Sequence, residues 1–219
     1  MKERPEVKQG PLLPETRRLV DDVEAETGRG IFIRADASVR QQGRAAYLVS
    51  DPNPNHHLIL IDPAERRFLD HLIAHGCGHV LRFWRAASFD KLVPVMTGER
   101  RARTLRQLMP EFRRLVRSGI PEGAIADVQS IWLSGTISQL SSTPADVYIE
   151  RWLWQDYPGL RSAQEASLCS QVRTLQLVNR PVVAAFTPEP VWRASNAMNY
   201  ALVKAVTGLL HDQRLLQPY

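Results

Sequence analysis

Apolar positions recur at helical spacing along most of the chain and run together as short strands in three places. Leu19, Val20 and Val23 make one face of a first helix, which opens at Pro14-Glu15-Thr16 and stops at Gly28. Ile31-Phe32-Ile33 reads as a strand, and Ala46–Val49 as a second, with Gln41-Gln42-Gly43-Arg44 as the turn before it. Asp51-Pro52-Asn53-Pro54-Asn55 is a dense cluster of breakers. The run Leu58-Ile59-Leu60-Ile61 has no alternation, which predicts a third strand buried on both faces.

Asp62-Pro63-Ala64-Glu65 then has the makings of a helix start: a capping Asp62, Pro63 at the first helical position, and Glu65 closing a capping box. This helix is expected to reach about Trp84. Downstream the pattern stays helical, over about 99–118 with a break near Pro110, and then about 122–140, 144–156, 160–178 and 196–211. In the last of these Met198, Leu202, Ala205 and Leu209 form the expected stripe, and Pro181 to Pro190 reads as a loop or short extended segment. Residues 1–13, polar and holding Pro5 and Pro11, read as a loose arm. The rest, 14–219, is expected to be a single domain with a core at 14–85 and a helical extension at 86–219. The fold class that follows is α+β: a small three-stranded sheet packed on the 62–84 helix, with a mostly helical C-terminal half.

Composition narrows the class without naming a function. A chain of 219 residues, 44% hydrophobic and 23% charged, is ordinary for a globular protein. No run of 18 apolar residues exists, so neither a spanning helix nor a membrane partner is expected. The charged start Met1-Lys2-Glu3-Arg4 lacks the apolar stretch of a secretory signal. Two cysteines, Cys77 and Cys169, cannot build a disulfide framework, and a reducing, cytoplasmic location is the expectation. The net charge of +5 sits in one place: between Glu99 and Arg117 seven arginines face two glutamates, also +5, so the remainder sums to zero. This segment reads either as a solvated helix face or as a patch for nucleic acid or an acidic partner through Arg100, Arg101, Arg103 and Arg106.

The candidate chemistry lies on the helix after the third strand. In Asp70-His71-Leu72-Ile73-Ala74-His75-Gly76-Cys77-Gly78-His79-Val80-Leu81, three histidines four apart share one stripe. Leu69, Leu72, Ile73, Val80 and Trp84 lie on the neighbouring face, toward the core. Histidines at i and i+4 are the minimal helical chelate for zinc, because their ring nitrogens converge one turn apart. Cys77 falls on the far side of the helix and reads as a packed thiol. Gly76 and Gly78 each cost about 1 kcal/mol in a helix interior, which points to a close approach or a site.

With the preceding helix and three short strands, the stretch from Glu65-Arg66-Arg67-Phe68 into Ile73–Leu81 resembles the ImmA/IrrE-like metallopeptidases, a branch of the zincins. The resemblance covers about residues 14–85 and implies a zincin-type histidine helix, a Zn2+ cofactor and a peptide or protein substrate. In that family the helix carries His-Glu-x-x-His, and Gly76 stands here at the glutamate position. The metal-binding half of the motif is kept, while the general base that takes a proton from metal-bound water is missing. A weakly active or inactive zinc peptidase-like protein follows, with a non-catalytic regulatory or interaction protein on a degenerate peptidase scaffold as the alternative. Restoring glutamate at 76 is expected to restore activity.

The resemblance also implies an acidic third ligand on a later helix, and Thr143–Trp154 offers Asp146 and Glu150, four apart on one face. One could ligate while the other orients a histidine. Asp146 also fits a helix-capping pattern with Thr143 and Pro144, and Glu150 an exposed salt bridge with Arg151 or Arg161. His71 is expected at the edge of the cleft.

Overall fold

The computed structural model describes residues 12–41, 46–49, 56–86 and 96–217. The expected N-terminal arm, apart from Leu12 and Leu13, therefore lies outside the described residues, as do the Gln42-Gly43-Arg44 turn and the breaker cluster 51–55. The chain forms two compact units. Unit 1 takes the described residues of Met1–Lys91 with Tyr148–Leu168, and unit 2 those of Leu92–Val147 with Cys169–Tyr219.

Unit 1 begins with α1 (Pro14–Thr27), β1 (Gly30–Ala35), α2 (Ser38–Gln41), β2 (Ala46–Val49) and β3 (His56–Ile61). The strand order is β1-β3-β2. β1 runs parallel to β3, with Gly30 opposite His56 and Ala35 opposite Ile61. β2 is antiparallel to β3, with Ala46 opposite Ile61 and Val49 opposite Leu58. The central strand buries Ile59, Leu60 and Ile61, as its unbroken apolar run predicts.

The expected α+β class, resting on a three-stranded sheet, needs correction. Among the described residues only β1 and β3 are full strands, of six residues each, and β2 adds a four-residue ladder at the edge. The protein is a small sheet packed against a mostly helical body, because nearly every other apolar position follows the helical period. The sheet's inner side meets α1 and α3 (Leu69–Arg85), where Leu19, Val23, Ile59, Ile73, Cys77 and Leu81 share one core.

Three local devices fix this arrangement. Gly28 ends α1 in the left-handed conformation, φ 65°, as its position predicts. Asp70, in the first turn of α3, accepts hydrogen bonds from the Leu13 N–H at 2.8 Å and the buried Thr16 hydroxyl at 2.7 Å, tying the start of α1 to α3. Glu24 on α1 accepts from the Ile31 N–H of β1 at 2.6 Å. After β3, Asp62 accepts from the Ala64 N–H at 3.0 Å, but the turn it caps is a 3-10 segment, Pro63–Phe68, and the α-helix proper starts at Leu69.

The two glycines of α3 are explained by close approach. A Cβ on Gly76 would lie 2.7 Å from Ile59 Cδ1 on β3, and one on Gly78 would lie 2.5 Å from Ile149 Cγ2. Ile149 belongs to α5 (Glu122–Asp156), whose last turns fall in unit 1. α3 is thus held between the central strand and α5 at distances that any side chain at 76 or 78 would violate.

Unit 2 contains α4 (Gly98–Arg117), most of α5, the end of α6 (Arg161–Gln176), α7 (Pro181–Ala185) and α8 (Glu189–Leu210). Its core gathers Leu108, Phe112 and Leu115 of α4 with Ile125 and Leu133 of α5. The breaks expected at Pro110 and before Pro144 do not occur, and α4 and α5 run straight through both prolines. An internal proline forfeits one helical hydrogen bond, and in α4 the buried Leu108 and Phe112 on either side of Pro110 hold the helix across the gap. The expected loop at 181–190 holds α7 and the start of α8. On α8 the buried stripe is Asn199, Leu202, Val203, Val206 and Thr207. The predicted Met198, Ala205 and Leu209 flank it, half-buried.

Gly78→Ala should lower unfolding stability by about 1–3 kcal/mol through overpacking against Ile149. Gly135→Ala, on an exposed turn of α5 with nothing near its Cβ, should raise stability by up to about 1 kcal/mol. Urea unfolding of the two variants beside the parent protein checks both signs.

Candidate metal centre

The histidine stripe of α3 meets the last turns of α5 inside unit 1. His71 and Glu150 are both 4% exposed, so each must find its polar partner within the protein. They find one another: His71 Nε2 lies 3.0 Å from Glu150 Oε1 and 2.9 Å from Oε2. His75 Nδ1 lies 2.7 Å from Glu150 Oε1. Gln164, fully buried on α6, donates to Glu150 Oε2 at 2.6 Å and to the Glu150 backbone carbonyl at 2.8 Å. Burial alone would raise the carboxyl pKa, but the charge of His71 and the hydrogen bonds from His71 and His75 outweigh it. They hold Glu150 far below the usual carboxylate range.

An ionised carboxylate only accepts hydrogen bonds. His75 Nδ1 must then carry the proton it donates to Glu150, and in the neutral ring the lone pair is on His75 Nε2. That atom lies 3.0 Å from His79 Nε2. Two zinc ligands at about 2.0–2.1 Å in tetrahedral array stand about 3.3 Å apart, so the imidazole pair fits a shared cation. His71, His75 and Glu150 also offer ligand atoms within 4.8 Å of one another. The donor set of imidazole nitrogen with carboxylate oxygen can hold a divalent metal ion. Two buried atoms of this network have no hydrogen-bond partner, His71 Nδ1 and Gln164 Oε1.

The sequence-predicted residues thus fall out as follows. His75, His79 and Glu150 come together. His71, expected at the edge of a cleft, is buried instead as a partner of Glu150, because the stripe it shares with His75 turns toward α5 and not toward solvent. Glu150 is no exposed ion-pair partner of Arg151 or Arg161; the Arg161 guanidinium binds the Trp154 carbonyl at 2.9 Å. Asp146 is half-buried one turn before Glu150 on the continuous α5, in the stretch that belongs to unit 2. It cannot be a helix cap, since no helix begins at Thr143. Gly76 is buried against Ile59. Cys77 is buried in the core, as expected of a packed thiol, and burial, with the charge of Glu24, pushes it up to about 12. Gln164 was not singled out in the sequence; a lone glutamine inside a helix gives no signal until the carboxylate beside it is known.

No helix among the described residues is long and apolar enough to cross a membrane. The chain matches no known protein family, no curated protein and no solved structure. Function must therefore be read from the chemistry of this site.

Two outcomes are expected here. Cys77 should resist alkylation at pH 8 in the folded protein and react fully in denaturant, as read by mass spectrometry of the labelled peptide. Gly76→Glu should lower the unfolding midpoint, because its side chain must displace Ile59 and desolvate a carboxylate. It should confer no peptidase activity on a pool of unstructured peptides. Turnover by that variant would overturn the packing account of Gly76.

Proposed function

We propose that the protein binds zinc on a zincin-like histidine helix and does not hydrolyse peptides with its present residues. The observation that carries this reading is the chain of contacts from Glu150 to His75 Nδ1 and from His75 Nε2 to His79 Nε2. A carboxylate on the far nitrogen of a ligating histidine fixes its tautomer and raises its basicity, as in carboxylate–histidine–zinc triads. In this reading His75 and His79 ligate through Nε2. Glu150, whose oxygens already receive His71, His75 and Gln164, is a supporting residue more than a ligand. When bound, zinc would supply a Lewis acid for a carbonyl and an acidified water. Moving a proton from that water needs a base beside it, and position 76, where the ImmA/IrrE-like and other zincin peptidases carry glutamate, is here a glycine set against the central strand. The likeness in motif and element order supports a metallopeptidase-derived scaffold, and the glycine supports its use for something other than hydrolysis.

A second reading is compatible with the same metal site and rests on unit 2. The exposed arginines of α4 favour a non-catalytic interaction protein that meets a polyanionic partner.

Purified protein should carry or take up close to one zinc per chain, measured by metal analysis and calorimetric titration. His75→Ala with His79→Ala should abolish that binding. Glu150→Gln should weaken it about 10–100-fold, the range for residues that support a ligand. Asp146→Asn reads out whether the acid one turn earlier supplies the third ligand: a loss larger than at Glu150 assigns it that place. Unchanged tight zinc in the double histidine variant would defeat the reading.

A further inference from the structure

The positive charge of this chain is arranged more tightly than its total suggests. Of the 28 basic residues only Lys2, Lys8, Lys91 and Lys204 are lysines; the rest are arginines, whose planar guanidinium binds phosphate oxygens in pairs. α4 holds seven arginines in 20 residues and no lysine. At about 100° per residue, Arg103, Arg106, Arg113 and Arg117 fall within about 80° of one another around the helix. The buried side chains Leu108, Phe112 and Leu115 occupy the opposite side. All four arginines are exposed. At 1.5 Å per residue the row they form is about 21 Å long.

Arg100 and Arg101 lie off this row, so the basic surface is not the cluster at the start of the segment that adjacency in the sequence suggests. Nor is the row neutralised. Arg103 makes an exposed pair with Glu99 at 3.2 Å, of the kind worth little in water. Arg106 and Arg113 form no ion pair among the described residues. The other acid of the helix, Glu111, is taken by Arg114 at 3.0 Å and by the Glu189 backbone N–H at 3.2 Å. Arg114 in turn donates to the Thr187 carbonyl at 3.2 Å. Arg117 donates to the Arg113 carbonyl at 3.3 Å, so one arginine, Arg114, is used in holding unit 2 together, and the exposed row beside it keeps its charge, with only Arg103 paired to an acid among the described residues.

We propose that α4 lies along the phosphates of duplex nucleic acid and contacts them through Arg103, Arg106, Arg113 and Arg117. This rests on the second reading above and names its partner. A duplex presents one negative charge per about 1.7 Å of axis, so a 21 Å row of guanidinium groups meets phosphates along its whole length. Single-stranded nucleic acid is recognised by aromatic side chains that stack on its bases. α4 offers none, since its one aromatic, Phe112, is buried and stacked on Trp132. Contacts to phosphate position a protein on a duplex without reading sequence, so the binding is sequence-independent.

The test is fluorescence anisotropy of the full chain with a labelled 20-base-pair duplex of mixed sequence, and in parallel with labelled poly-glutamate. Duplex binding should fall about 10²-fold between 50 and 200 mM salt, the loss for four neutralised phosphates. Changing the four arginines to glutamine should remove that binding and most of its salt dependence, while circular dichroism and the unfolding midpoint stay those of the parent. A control that removes the same charge from other exposed positions, Arg17→Gln, Arg82→Gln, Arg173→Gln and Arg180→Gln, should keep most of it. Duplex binding that ignores the row would overturn the inference. Arginine-dependent binding of poly-glutamate alone would overturn it too and leave the second reading standing. No binding of either at 50 mM salt would remove both.

Discussion

The buried carboxylate of Glu150 organises unit 1. An acid taken out of water in this way must be neutralised by charge and hydrogen bonds or it costs several kcal/mol. Here three side chains from two helices converge on it: His71 and His75 from α3, and Gln164 from α6. Each is fixed in orientation by that contact, so a requirement of burial becomes the positioning of imidazole nitrogens. The glycines serve the same end. Only with hydrogen at 76 and 78 can α3 come near enough to β3 and α5 for a short side chain such as glutamate to reach two histidines.

Much of this was legible in the chain. The histidine stripe follows from spacing alone, and so do the buried third strand and the cap at Gly28. What the pattern misjudged has physical causes. Prolines read as ends, yet both helices continue through them, and in α4 the burial of Leu108 and Phe112 outweighs one lost hydrogen bond. The second strand keeps its expected bounds, Ala46–Val49, while β1 and β3 run longer than their apolar runs, because their parallel ladder pairs polar residues at the ends as well. His71 was placed at a rim because helical periodicity fixes which residues share a stripe and leaves open what lies across from it. Gln164 could not be found at all without its neighbour.

Position 76 shows how one residue serves two accounts. Read against a peptidase motif, a glycine there is a missing base. Read against the fold, it is the residue that lets a helix touch the central strand. The second account is the one with a contact behind it, since a Cβ at 76 would meet the fully buried Ile59 at 2.7 Å. Beside Gly76 stands a pair of imidazoles whose facing nitrogens lie 3.0 Å apart, a spacing compatible with a shared metal ion.

The parts of unit 1 are far apart along the chain. His75 and Glu150 are separated by 75 residues, and most of the interval belongs to unit 2. At synthesis rates of about 5–20 residues per second, α3 leaves the ribosome roughly 4–15 s before the carboxylate that orients its histidines exists. During that time the imidazoles are exposed and uncommitted, while β1 and β3 can already pair. Along the backbone the sheet and α3 come first, the inserted residues Leu92–Val147 next, and the carboxylate that meets His71 and His75 only after them. Until Glu150 is made, no carboxylate fixes which ring nitrogen of His75 carries the proton.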